Sequence, residues 1–397
     1  MKKFRHVIFS VLVAVASIAL SLGFVLGGQK QSAFAANGGA FYVGSGSTLT
    51  LEGKKNISGF SATNGGGVMI AGGTMEMLGG DVFGNTAENH GGGITVNNTG
   101  TLTISAGAIS ENEAGKRGGG ICSSGTTTIS GGTISSNKAD LGGGIAVVRN
   151  VTTINDINIT GNTATSNGGA MWVYGGEVVI KDGSFSGNSA SLGGGIYVSS
   201  GATVTISKIA LTHNTASTRG GAIYVEENGT LTLNAGTIVD NAGANAVYVL
   251  GNFTMNGGLI GSNSTNNVLN TDIYCADTAT VELNNGRVLG GIIAHGVLKI
   301  SRDFICEAGY GIGSDGTIVI TDYNGTIDDE YKIYVGSNRT GSIITLEGSS
   351  TEPDLSKFKV SGFDEDKYQL STSRNASGNW VISIVEKVAT FSNTWKS

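Results

Sequence analysis

Gly193-Gly194-Gly195-Ile196-Tyr197-Val198, followed by Thr203-Val204-Thr205-Ile206, is the stretch that decides the fold. Ile and Val alternate with Tyr and Thr at period two over four or five residues, and glycine bounds the run. This is the pattern of a strand with one buried face. The same phrase recurs along the chain. Glycine clusters begin at Gly65, Gly91, Gly118, Gly142, Gly168, Gly193 and Gly220, 24–27 residues apart, with an earlier copy at Gly38 and a glycine-poor copy at Asn245-Ala246-Val247-Tyr248. A fixed period of this length is the mark of a solenoid.

Each copy has three recognisable parts: Gly-Gly-Gly/Ala-Ile-x-Val, a Thr-rich alternating strand such as Thr230-Leu231-Thr232-Leu233, and an apolar-x-x-Asn ending such as Phe185-Ser186-Gly187-Asn188. Three strands per copy are read as one coil. No stretch after Ala36 has the helical periodicity of the length a crossover helix needs, which makes an α/β sheet a poor alternative. Stacked coils bury the Ile, Val and Leu of each strand in a shared interior, and each strand pairs in parallel with its equivalent about 4.8 Å along the axis. The expectation is an all-β, right-handed single-stranded parallel β-helix of about a dozen coils, a rod of roughly 55–60 Å from Asn37 to Tyr323. Glycines supply corners of positive φ. Asn85, Asn112, Asn137, Asn162, Asn188, Asn214 and Asn241 recur at the coil period, and they predict a ladder of stacked amides bonded along the axis.

The Gly168-Gly169-Ala170-Met171 and Gly220-Gly221-Ala222-Ile223 tetrapeptides, with Phe185-x-x-Asn188, resemble the repeats of polymorphic outer membrane proteins and related bacterial β-helix surface adhesins. The resemblance spans roughly residues 37–263. It implies a β-helix passenger that contacts host or neighbouring cell surfaces. Those autotransporters end in a long membrane barrel, for which this sequence has no room. Residues 331–397 read instead as a C-terminal β segment capping the solenoid, with short strands at Phe358-Lys359-Val360, Tyr368-Gln369-Leu370 and from Trp380 to Val385. Similar endings occur in secreted β-helix proteins of Gram-positive bacteria.

Composition agrees with one repetitive domain over 36–330. The 397 residues include 66 Gly and one Pro, and mean hydropathy is +0.09. Residues 1–35 read as a signal peptide: Lys2, Lys3 and Arg5, an apolar run from Val7 to Leu26, and Ala33-Phe34-Ala35 before Ala36. An uncleaved anchor is the alternative, since the run is long enough to span a bilayer. Residues 1–35 hold four basic residues and no acid, so 20 basic against 30 acidic residues remain after removal, a formal charge of −10. Nucleic acid is excluded as a partner. A lipid-modified Cys after the apolar run is excluded because the first Cys is Cys122, and a Leu-Pro-x-Thr-Gly sorting motif because the single Pro is Pro353. Cys122, Cys275 and Cys306 are too few and too widely spaced for a disulfide framework, and no pair is assigned.

Chemistry is sparse. Many β-helices are polysaccharide lyases or hydrolases, which need clustered carboxylates or a Ca²⁺ site with a nearby base. Asn270-Thr271-Asp272, Ala294-His295-Gly296 and Asp328-Asp329 each match a fragment of the polygalacturonase signature, in the wrong order along the chain. Asp328, Asp329 and Glu330 are read as a solvated turn, with cation binding as the alternative. His90, His213 and His295 fall at different places within their coils and do not converge on a metal. No catalytic residue, cofactor or metal site is expected.

Trp172, Tyr197, Tyr224, Tyr248 and Tyr274 occupy one place in five successive copies, one residue after the inward Ile, Met or Val. Alternation puts this row outside. Two readings stand: a binding row for sugar rings or a protein partner, and a structural row that stacks on itself. Tyr42 opens the same position in the first copy, and Met69, Thr95, Cys122 and Ala146 interrupt it. Thr-x-Thr pairs (Thr48/Thr50, Thr101/Thr103, Thr126/Thr128, Thr203/Thr205, Thr230/Thr232) resemble ice-binding faces, but Glu76 and Glu177 break the array and Thr is a favoured strand residue. The sequence is therefore read as a secreted or cell-surface, adhesin-like, non-enzymatic protein, expected to be a monomer, whose partners are host or neighbouring-cell glycans or surface proteins. The alternative is a carbohydrate-active enzyme on the same scaffold.

Overall fold

The structure, a computed structural model, describes residues 37–261, 264–265, 271–313, 315–323, 331–336 and 339–387. The proposed signal peptide, Asn270 and the Asp328-Asp329-Glu330 cluster lie outside the described residues. The chain is a parallel β-solenoid of about 12 turns. Among the described residues there is no α-helix, and a single 3-10 turn occurs at Leu355–Lys357.

One turn shows how the sequence makes the coil. Ile196–Val198 buries Ile196 and Val198, Thr203–Ile206 buries Val204 and Ile206, and Ala210–Thr212 buries Leu211. A fourth strand, Thr215–Arg219, then leads back to Gly220. A coil of this kind thus has four strands, where three were expected. The additional strand presents only Ala216 inward, and its counterparts present Ala87, Ala114, Ala139, Ala164 and Ala190. Alanine gives almost no apolar alternation, so this strand is silent in the sequence pattern.

Equivalent strands pair in register. Ile196 faces Ile223, Val204 faces Leu231 and Leu211 faces Ile238 in the next turn. Among the described residues the glycine-led sheet has 14 strands and the alanine sheet nine. The two remaining columns merge in the ten-residue strands Thr74–Phe83 and Thr101–Ser110. Parallel pairing continues past residue 330, with Tyr331–Val335 against Phe358–Ser361. Trp380–Glu386 then pairs antiparallel with both Gly341–Leu346 and Tyr368–Arg374.

The glycine corner is sterically required. Gly193 has φ +61°, and a Cβ on Gly194 would lie 2.4 Å from the Thr215 carbonyl oxygen and 2.5 Å from that of Gly221. Successive backbones are too close there for any side chain.

The asparagines form one continuous ladder at the turn before the alanine strand, packed against the glycine run, and are buried to 0–1% exposure from Asn85 to Asn241. Asn162 is representative. Its Oδ1 accepts from both the backbone N–H and Nδ2 of Asn137, each at 2.9 Å, while its own Nδ2 donates to the Ile134 carbonyl and to Asn188 Oδ1. Each amide thereby meets its own hydrogen-bonding needs and those of a corner backbone group that has no sheet partner.

Candidate functional site

The outer surface of the glycine-led sheet carries the aromatic row. In register, Ala146 faces Trp172, Trp172 faces Tyr197, Tyr197 faces Tyr224, Tyr224 faces Tyr248, and Tyr248 faces Tyr274. Two columns flank it. The residue before each glycine cluster contributes Arg117, Leu141, Leu192 and Arg219, and the residue after each strand contributes Val148, Tyr174, Glu226 and Leu250. The positive-φ glycine turns the chain sharply, which brings the preceding side chain against the row.

The expectation of an exposed aromatic row is corrected by this arrangement. The side chains point away from the interior as alternation requires, yet Trp172, Tyr197, Tyr224 and Tyr248 are only 4–7% exposed, and Tyr274 is half-buried. They form a second apolar cluster with Cys122 and Ala146, closed at the sides by Leu141, Leu192, Val148 and Leu250. The rings use their faces on one another. Tyr197 and Tyr224 stack with centroids 4.9 Å apart and planes 5° from parallel, Tyr224 and Tyr248 at 5.2 Å and 11°, and Tyr248 and Tyr274 at 4.9 Å and 4°. His295 covers the far end against Tyr274 at 5.3 Å. A sugar ring has no free face to stack on between Tyr197 and Tyr274.

Burial is also the main force on the phenols, raising all four tyrosine pKa values above the usual 10. Glu226 adds to this at Tyr197, and the Arg219 cation opposes it at Tyr248. Arg219 lies 4.8 Å from the Tyr248 centroid.

The threonine pairs do align. Thr48, Thr74, Thr101 and Thr126 form one outward column, beside Thr50, Thr103 and Thr128 with Glu76 inserted. Val151 and Glu177 follow in the first column. The fragments with enzyme-like spacing are not assembled into a site. Asp272 is 1% exposed, with its Oδ2 accepting from the Gly290 N–H at 2.8 Å, whereas His295 lies on the outer face, 3.8 Å from Asp277. Among the described residues no group of three or more His, Cys, Asp or Glu is placed to hold a metal ion. The three thiols are unbridged, and burial pushes the pKa of each up to about 12.

Two residues that the sequence reading passed over stand out. Tyr174 is 53% exposed, beside the buried row, and stacks on Trp172 at 5.2 Å. The Arg117 guanidinium reaches across to within 5.3 Å of the Trp172 centroid and 5.8 Å of the Tyr174 centroid. The sequence held a faint signal for both: an aromatic two residues after Trp172, and a cation before Gly118.

A model of the Chlamydia polymorphic membrane protein repeat matches residues 182–199 and 208–226. Two segments on successive coils are thus similar to this repeat. The two matched polymorphic-membrane-protein segments include Phe185, Asn188 and Gly193 to Val198 in the first, and Leu211, Asn214 and Gly220 to Val225 in the second. They thus contain corner glycines, ladder asparagines and two tyrosines of the stack. No curated protein and no solved structure matches the chain.

Proposed function

We propose that this chain is a secreted or cell-surface, adhesin-like β-solenoid whose outer surface contacts glycans or proteins of a host or neighbouring cell, and that it acts by binding rather than by catalysis. The observation that carries this reading is the polymorphic-membrane-protein repeat, a repeat type of surface proteins, located in the central coils. The architecture supports it. The coil interior is committed to packing and the asparagine corner to its own ladder, which leaves the outward columns for recognition. Export by the basic and apolar leader belongs to the same proposal.

The test is binding of the purified full chain to fixed host and bacterial cells and to immobilised matrix proteins and glycans, with released sugar ends assayed in parallel. Saturable binding without release of reducing or unsaturated ends is the expected result. Release of such ends from a polysaccharide would replace this reading with the enzymatic one.

A further inference from the structure

The place where the aromatic row ends differs from the rest of it. From Tyr197 to Tyr274 the ring faces are occupied, and the neighbouring cation is engaged: Arg219 lies on Tyr248 and hydrogen-bonds it. At Trp172 the row stops, because Ala146 and Cys122 take the next two positions. The space above these small residues is bridged by Arg117 from one side and Tyr174 from the other.

Arg117 is half-buried there. Its guanidinium rests on two rings and makes no hydrogen bond or ion pair among the described residues. A guanidinium has five N–H donors in a planar fork matched to a carboxylate, and stacking on aromatic faces leaves the edge that carries those donors free. Nearby charge does not quench it. Asp140, one residue before Leu141 of the same column, is engaged by the Thr165 and Ser166 hydroxyls at 2.6 and 2.5 Å, while Lys116 adds an exposed cation next to Arg117 on a chain whose net charge is −6. Beside the cation, Tyr174, 53% exposed, offers an aromatic surface that the row does not use.

We propose that Arg117, Trp172 and Tyr174 form a binding site for the terminal acidic sugar of a cell-surface glycan, of the sialic acid class. The carboxylate takes the Arg117 fork in a bidentate pair, and an apolar face of the sugar packs on the open part of Tyr174. Trp172 is the floor that holds Arg117 in place. There is one unpaired fork and one open ring, which fits a single chain-terminal residue better than a repeating acidic polymer. The site rests on the adhesin-like reading and gives it a ligand class.

The experiment is calorimetric titration of the full chain with 3′-sialyllactose, lactose and a glucuronate-terminated oligosaccharide, repeated with Arg117→Gln, Arg117→Lys and Tyr174→Ala after circular dichroism has shown unchanged folds. Sialyllactose is expected to bind and lactose not to. Arg117→Gln and Tyr174→Ala should each weaken binding at least tenfold, and Arg117→Lys, which keeps the charge without the fork, should fall between wild type and Arg117→Gln. Equal binding of lactose, tighter binding of the glucuronate ligand, or undiminished binding by Arg117→Gln would overturn the site. Cell binding that survives in Arg117→Gln sinks this site and leaves the adhesin-like reading standing, whereas a wild-type chain that binds no cell or glycan sinks both.

Discussion

Asn112 gives both its backbone N–H and its side-chain Nδ2 to a single atom, Oδ1 of Asn137, at 3.0 Å each. Asn137 repeats the arrangement on Asn162. The ladder is directional, so one amide removed from the middle strands donors on one side and acceptors on the other. Asn137→Ala leaves two buried donors of Asn112 and the Ile109 carbonyl without partners. A stranded buried group costs roughly 1–3 kcal/mol, so the urea midpoint should fall sharply at constant slope. Asn98→Ala, at an exposed turn, should stay within about 0.5 kcal/mol. Equal midpoints for the two variants would show that the ladder does not hold the corner.

The tyrosine stack makes a second prediction through ring area rather than hydroxyl chemistry. Tyr224 is sandwiched between Tyr197 and Tyr248 and is 7% exposed. Tyr224→Ala removes a ring from both neighbours and opens a cavity, with an expected loss of about 3–5 kcal/mol. Tyr224→Phe keeps the ring and should lose under about 1.5 kcal/mol. Denaturant midpoints of the pair decide whether stacking or the phenol matters. A larger loss in the Phe variant would reverse the assignment.

Alkaline pH should unfold the chain by a route set by burial. The three thiols sit near 12 in the folded state against a usual value of 9, and the Tyr197, Tyr224, Tyr248 and Tyr274 phenols above 10. Above pH 9 the unfolded chain releases protons that the native chain still holds, so stability falls as pH rises. It should be flat with respect to these groups below pH 9 and decline from 9 towards 12, with phenolate absorbance of the four tyrosines appearing together with unfolding. Native thiols should resist a thiol reagent at pH 8 and react once urea unfolds the chain. Phenolate signals that precede loss of the β circular dichroism signal would mean that the row is open to water.

How much of this was legible in the sequence follows from side-chain size. Ile196, Val204 and Leu211 announce their strands because each alternates with Tyr, Thr or a small residue, and the 24–27-residue spacing of the glycine clusters gives the coil. Asn162 and its equivalents were legible as a row because amides at one period have an evident use. The exposure of Tyr224 was not. Alternation fixes the side of the sheet but not the cover, and the cover comes from Leu192, Arg219 and Leu250, which lie on adjacent turns of the chain. Arg117 and Tyr174 belong to different coils, and only the stacking of those coils brings them to the same rings.

The strand that the pattern hid gives the last prediction. Ala139 is 3% exposed, pairs in register with Ala164, and belongs to a packed row with Ala87 and Ala114. A methyl is the largest group this face presents inward at those turns, so the alanine sheet lies closer to the core than a strand of Leu or Ile would allow. Ala139→Leu adds three carbon atoms to a site with no room for them, and overpacking of this kind costs about 1–3 kcal/mol. Lys138, adjacent on the same strand, points into solvent. Lys138→Leu therefore adds a comparable apolar side chain at no packing cost and should leave the urea midpoint within about 0.5 kcal/mol of wild type. The difference between these two neighbours measures the inward row directly. If both are neutral, the alanine sheet yields to accommodate bulk, and the Ala row reflects strand spacing rather than a packing limit.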